Sequence, residues 1–294
     1  MLDEKKAVDD FIAYIKVEKG LAENTALAYK SDLLKFIDYA QNKKIDISVI
    51  SHQDITDFLW GQKQEGLSPS SIYRTIESIR QFYKFLHNEN IIKTNPAKDV
   101  PVPRLMEKLP TVLSVGETDA LLNSVSENNI TSIRNRAMFE ILYATGMRIS
   151  ELINLKFEDL NMNDRFLKVF GKGSKERLVP FGETAKRFLI IYLNARKKIK
   201  DAKEFIFISR LEKKISRVAV WQQLSAAARN AGIEKKIYPH ILRHSCASHL
   251  LAGGADIRFV QEILGHSSIS STQLYTHLDA REIGEKHKKF HPRG

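Results

Sequence analysis

The chain has 294 residues, more than one small core accounts for, so two domains are expected, and 43% hydrophobic with 28% charged residues excludes a disordered chain. A formal charge of +11 sets up a field that attracts polyanions and predicts salt-sensitive association with nucleic acid. The single cysteine excludes an internal disulfide, and the lack of an apolar leader core or a bilayer-length apolar run predicts a cytoplasmic protein without membrane contact.

The N-terminal part reads as four helices. Val8, Phe11, Ile12 and Ile15 fall at helical spacing, and Gly20 closes that segment. Asn24 is expected to cap a second helix with Tyr29, Leu33, Phe36 and Ile37 inward. Ser51 and Asp54 resemble a capping box ahead of Ile55, Phe58 and Leu59. Ser68-Pro69 opens a fourth helix carrying Ile72, Ile76, Ile79, Tyr83 and Leu86. Pro96, Pro101, Pro103 and Pro110 then cluster in NPAKDVPVPRLMEKLP, which predicts an extended connector. The domains are therefore expected at 1–95 and 111–294, with 96–110 as the linker.

The second domain is expected to be mostly α with one small sheet. Ser114 and Glu117 form another capping box, for a helix reaching about Asn128. A helix built on Met138, Ile141 and Leu142 breaks at Gly146 and restarts at Ile149, running on through Leu155. Arg148 stands at that break, where it can aim inward beside the backbone N–H groups of the new helix. FLKVFGKGSKERLVPF alternates apolar and polar residues about Gly171-Lys172-Gly173, a β-hairpin pattern with Lys172 at its tip. A helix from Glu183 to Lys198, a short strand EFIFIS and a helix capped by Ser216 through Ala231 follow.

Pro239 is expected to open a helix that brings His240 and Arg243, three positions apart, to one face. That helix should stop at a left-handed cap at Gly253-Gly254. Asp256 starts the next, with Ile257, Val260, Ile263 and Leu264 on its buried stripe. Gly265 ends it, His266 follows in the loop, and a helix capped by Ser270, Ser271 or Thr272 carries Tyr275.

A phenol, with a pKa of about 10, is a poor nucleophile at neutral pH, yet beside guanidinium groups and a base it can form an ester with phosphorus. Arg148 and Arg243 suit the non-bridging oxygens of a phosphodiester and the charge that grows in its transition state. A lysine at a hairpin tip has the reach to protonate a leaving oxygen. Taken singly, each residue has an ordinary account: Arg148 ion-paired with Glu151, Lys172 kept in water, His240 and His266 as core or helix-end residues, Tyr275 as packing. No HExxH, paired-cysteine or P-loop pattern occurs, so neither a metal nor ATP is expected.

Together these positions do more. Arg148 in ATGMRISEL, Lys172 in GKGSKERLVP, His240 and Arg243 in HILRH, His266 in LGHSS, and Tyr275 match, in order and in local context, the tyrosine recombinase (integrase) family. The chain most resembles the Xer site-specific recombinases, over essentially its whole length; Cys246, where many relatives carry an aromatic residue, is a small departure.

The resemblance implies a two-domain DNA clamp, mainly α with a small β-sheet in the C-terminal domain. It pairs an N-terminal four-helix SAM-like core-binding domain with a tyrosine recombinase catalytic domain. Arg148 and Arg243 would then hold the scissile phosphate with His266 as a further donor. His240 would take the phenol proton, Lys172 would act as general acid, and Tyr275 would become an O-(3′-phospho-DNA)-tyrosine on the way to a Holliday junction. No cofactor is implied. Ser68, Ser70, Ser71, Arg74, Arg80 and Lys175 become expected DNA contacts.

Two duplexes imply a tetramer of like or unlike chains on a double-stranded recombination site. Chromosome dimer resolution is the usual task of this type, with a septal DNA translocase as a further partner. The tail REIGEKHKKFHPRG is similar to an element that docks into a neighbouring protomer through Ile283; packing on its own domain is the alternative. The rival readings are a mobile-element integrase, a type IB topoisomerase, and a helical DNA-binding protein without catalysis.

Overall fold

The computed structural model describes residues 3–101, 111–171, 176–197, 204–265 and 277–294, without the side chains of 277–281. The chain divides into two compact units, residues 1–108 and 109–294. Among the described residues no helix is long and apolar enough to cross a membrane.

The first unit is built from α1 (Glu4–Val17), α2 (Glu23–Asn42), α3 (His52–Gln64) and α4 (Pro69–Asn88). α4 packs against each of the other three. Its apolar stripe carries the buried Ile76, Ile79, Phe82 and Tyr83, which meet Phe11, Leu33 and Phe36 in one core. Rings lock this core edge to face, Phe11 against Phe82 at 5.6 Å and Phe36 against Tyr83 at 6.2 Å between centroids. The Tyr83 hydroxyl donates to the Ile47 carbonyl at 2.9 Å, so its burial leaves no polar atom unsatisfied.

Ser51 with Asp54 forms the expected capping box, and Ser68 accepts from the Ser71 N–H with Pro69 at the first helical position. The expected Asn24 cap is not formed: α2 starts two residues earlier than that cap implies, at Glu23 behind Ala22, which offers no side-chain acceptor. Beyond α4, Ala97 and Val100 of the proline-rich stretch are buried in this first core.

In the second unit α6 (Ile130–Thr145) is buried on almost every side and packs against α5 (Val115–Asn123), α8 (Glu183–Arg196), α9 (Arg217–Asn230) and α10 (Ile241–Ala252). Its left-handed end at Gly146 gives way to the four-residue α7 (Ile149–Leu152). Strands β1 (Leu160–Asn161), β2 (Phe166–Phe170) and β3 (Glu176–Pro180) form an antiparallel sheet in that order, with Leu167 opposite Val179. α11 (Ile257–Leu264) and α12 (His277–Phe290) complete the unit.

Several sequence expectations are corrected here. The helix after Ser114 ends at Asn123, because Ser124 turns its hydroxyl back to Leu121 and across to the Ala227 carbonyl. α7 stops at Leu152, well short of Leu155. The EFIFIS stretch forms no strand; Phe205 and Ile208 make only isolated bridges, to Lys156 and Lys214. α8 ends at Arg196, short of Lys198. Pro239 lies ahead of α10, whose N-cap is His240, whereas the expected left-handed cap at Gly253-Gly254 is formed, by Gly254 at φ +94.

The C-terminal tail packs on its own unit. Ile283 is buried in the core, and the His287 and His291 rings, 1% and 4% exposed, stack at 4.7 Å. Their Nε2 atoms donate to the Ala144 and Tyr143 carbonyls at 2.7 and 3.2 Å, and burial keeps both imidazoles neutral. Arg293 closes the tail on Asp119 and on the buried Glu140.

Burial pushes the His287 imidazole down from 6.5 to about 4. A folded value below the unfolded one means the unfolded chain binds the extra proton. The contribution is complete above pH 6.5 and is lost as pH falls toward 4, by up to about 1.4 kcal/mol for each pH unit crossed. The thermal midpoint of the protein should therefore drop across that window, and His287→Gln, which keeps a donor for Ala144, should flatten the drop; identical slopes would contradict it.

Candidate active site

Two elements, α7 and β3, bring guanidinium groups to one carboxylate. Arg148 is the N-cap of α7, placed there because Gly146 takes φ +60 and lets the chain leave α6 sharply. Its backbone N–H donates to Glu151 Oε2 at 2.8 Å and its Nη1 to Glu151 Oε1 at 2.9 Å. From β3, Arg177 reaches the same carboxylate with Nη1 to Oε1 at 3.1 Å and Nη2 to Oε2 at 2.8 Å. Glu151 thus accepts four hydrogen bonds, about the capacity of a carboxylate. Burial opposes its charge, but the Arg177 and Arg148 donors outweigh that and hold its pKa below the ordinary value. A carboxylate so committed is a scaffold and not a proton acceptor.

Arg243, on the first turn of α10 and 7% exposed, is held by backbone carbonyls, Nη1 to Gly146 O and Nη2 to Leu264 O, both at 2.8 Å. Burial, and then the positive charge of Arg148, lower its pKa to about 10. It remains protonated at neutral pH, in a cluster whose arginines, Arg148, Arg177 and Arg243, outnumber its one carboxylate, Glu151. His240 is the exposed N-cap of α10, close enough to Arg243 and Arg148 to feel their charge. Loss of water, followed by the neighbouring Arg243, His244 and Arg148, lowers its pKa below 6.5, so the ring is neutral at pH 7 and can accept a proton. Such an arrangement could take an anion, with a neutral base beside it.

The structure thus brings Arg148, His240 and Arg243 together. Lys172, Lys175, His266 and Tyr275 lie outside the described residues. In the first unit, Ser68, Ser70 and Ser71 cluster at the start of α4, with Ser68 Oγ 3.2 and 2.9 Å from the other two hydroxyls. Arg74 is clamped bidentate on the buried Asp32, at 2.8 and 2.9 Å. Arg80 donates to Glu77 and to the Val100 carbonyl. Among the described residues no group of three His, Cys, Asp or Glu is placed to hold a metal ion.

Sequence reasoning missed Arg177 and treated Glu151 only as an ordinary partner for Arg148. The signal for Arg177 was its place in ERLVP, where it shares the inward face of β3 with Val179. A charged residue at an apolar strand position needs a buried counter-charge.

The second unit is mostly helical with a three-stranded sheet and sets Arg148, Arg177, Arg243 and His240 near one another, a combination that more than one class of protein could carry. Comparison with known proteins resolves the class. Residues 112–282 match the phage integrase family and residues 8–90 the phage integrase N-terminal SAM-like domain. The chain belongs to this family and is a tyrosine recombinase.

It is 42% identical over 293 residues to a protein named Tyrosine recombinase XerD from Oceanobacillus iheyensis, covering 98% of each chain. It is 43% identical over 296 residues to one of the same name from Chlorobaculum tepidum, covering 99% of this chain and 97% of the relative. Its fold is like that of the XerH recombinase in a post-cleavage complex with a palindromic difH substrate, with TM-score 0.73, 24% identity, and coverage of 96% and 83%. A lambda integrase tetramer bound to a Holliday junction is also similar in fold, with TM-score 0.70, 19% identity, and coverage of 92% and 80%.

Gly146 tests the local architecture. A Cβ there would stand 2.6 Å from Leu264 Cδ2 and 3.3 Å from Cys246 Sγ, and the residue is left-handed. Gly146→Ala is expected to destabilise the protein by about 2 kcal/mol or more, read as a lowered thermal midpoint. An unchanged midpoint would mean that the turn into Arg148 is not constrained in this way.

Proposed function

We propose that this chain is a site-specific recombinase of double-stranded DNA, acting in the cytoplasm as a tetramer in chromosome dimer resolution. The observation that supports the reading is the proximity of Arg148, Arg243 and His240, a grouping suited to a phosphate. They stand in a chain nearly co-extensive with relatives named XerD. Ser68, Ser70, Ser71, Arg74, Arg80 and Lys175 are proposed to touch the DNA backbone. A septal DNA translocase is a further proposed partner.

In the proposed mechanism the two guanidiniums bind the non-bridging oxygens of the scissile phosphate, joined by His266. Tyr275 Oη attacks phosphorus; its bond to phosphorus forms as the bond from phosphorus to the 5′ oxygen breaks. The phenol proton passes to His240, and Lys172 supplies a proton to the departing 5′ oxygen. The 3′-phosphotyrosyl ester keeps the phosphodiester energy, so a 5′ hydroxyl from the partner duplex can reverse the step without ATP. Repetition on the second pair of strands resolves the junction.

Incubation with the organism's candidate resolution sites should yield a protein–DNA adduct that survives denaturant. Tyr275→Phe should abolish it, and a nicked substrate should transfer the bound strand to a foreign 5′ end. No adduct, or adduct persisting in Tyr275→Phe, refutes the mechanism, and rejoining confined to the original strand would make the protein a topoisomerase.

The lowered His240 value sets a pH dependence. The single-turnover rate of adduct formation should be level near pH 7 and fall as pH drops below 6.5 and the ring becomes protonated. A rate indifferent to pH in that range would remove His240 from the proton path.

A further inference from the structure

Arg177 is among the more deeply buried charged groups of the second unit, with its side chain 7% exposed, and the mechanism above gives it no task. Nε donates to the Ile263 carbonyl at 2.9 Å, and both Nη atoms bind Glu151. The adjacent carbonyl, Leu264, receives Arg243, so two successive carbonyls at the end of α11 hold two arginines. Gly265 follows with φ +68, and a Cβ there would lie 2.9 Å from Arg177 Cδ and 3.0 Å from Nε and Nη1. The backbone is kept bare at the point where this guanidinium passes.

We infer that Arg177 is a positioning residue of the recombinase reaction, which satisfies Glu151 from behind so that Arg148 stays available to the phosphate. The inference rests on the recombinase reading. Glu151, its side chain 5% exposed, must have its charge matched inside the protein. With Arg177 present, Arg148 gives that carboxylate one side-chain bond, through Nη1, and no other described group takes its remaining guanidinium N–H bonds. Without Arg177, Arg148 is the only cation among the described residues bonded to Glu151. A buried carboxylate draws such a cation into a two-pronged pair, which turns the guanidinium away from a phosphate. Arg177 therefore acts on the reaction through Glu151 and Arg148 and touches no reacting atom.

The test is single-turnover cleavage of a nicked duplex bearing the recombination site, with DNA affinity measured separately. R177Q should cleave on the order of 100-fold more slowly, with affinity changed by less than about threefold. Adding E151Q removes the charge that captures Arg148, so the E151Q/R177Q double variant should recover at least about tenfold over R177Q. A purely structural role predicts instead that the second substitution deepens the defect.

Should R177Q fail to fold, R177K carries the test, because an ammonium cannot span Ile263 and both Glu151 oxygens; its rate should fall between those of wild type and the expected R177Q level. A wild-type rate in R177Q or R177K, or no recovery in the double variant, overturns the inference. Absence of adduct from the wild-type protein would instead overturn the recombinase reading itself.

Discussion

A carboxylate taken out of water is stable as an anion only when its lone pairs are filled, and Glu151 is filled by two arginines rooted in different parts of the chain. That requirement joins the turn after α6 to strand β3. Through the second bond of Arg177 it also joins both to the end of α11. The site is therefore assembled by charge satisfaction as much as by packing. Its excess of positive charge is tolerable because the groups that carry it are tied to carbonyls and to one acid.

Helix α6 supplies the frame on which this depends. It is buried nearly all round, so its position is set by apolar contacts with four other helices. Its last turn then distributes carbonyls that no helical partner uses: Tyr143 and Ala144 to the tail imidazoles, Gly146 to Arg243. The orphan acceptors at a helix end thus do two jobs, anchoring the C-terminal tail and orienting a guanidinium.

Much of this was legible in the sequence, for identifiable reasons. The four N-terminal helices follow from their apolar spacing, and Ser51, Ser68, Asp256 and Gly265 mark ends by short-range chemistry that needs no tertiary knowledge. Arg148, His240 and Arg243 were visible because glycine punctuation and flanking residues fixed their local setting. The misses are tertiary. Nothing local announces that Ser124 would turn across to Ala227 and stop α5, or that EFIFIS would be apolar without pairing as a strand. Arg177 was overlooked because its counter-charge lies 26 positions away, and polar residues in a strand read as solvent-facing until a partner is known.

Cys246 lies fully buried beneath Gly146, where burial pushes its thiol up to about 12. It is the only cysteine in the chain, and a protonated, enclosed thiol is a feeble target for maleimides and iodoacetamides. Fluorophores or spin labels can therefore be attached to cysteines introduced on either unit with the native sulfur left in place.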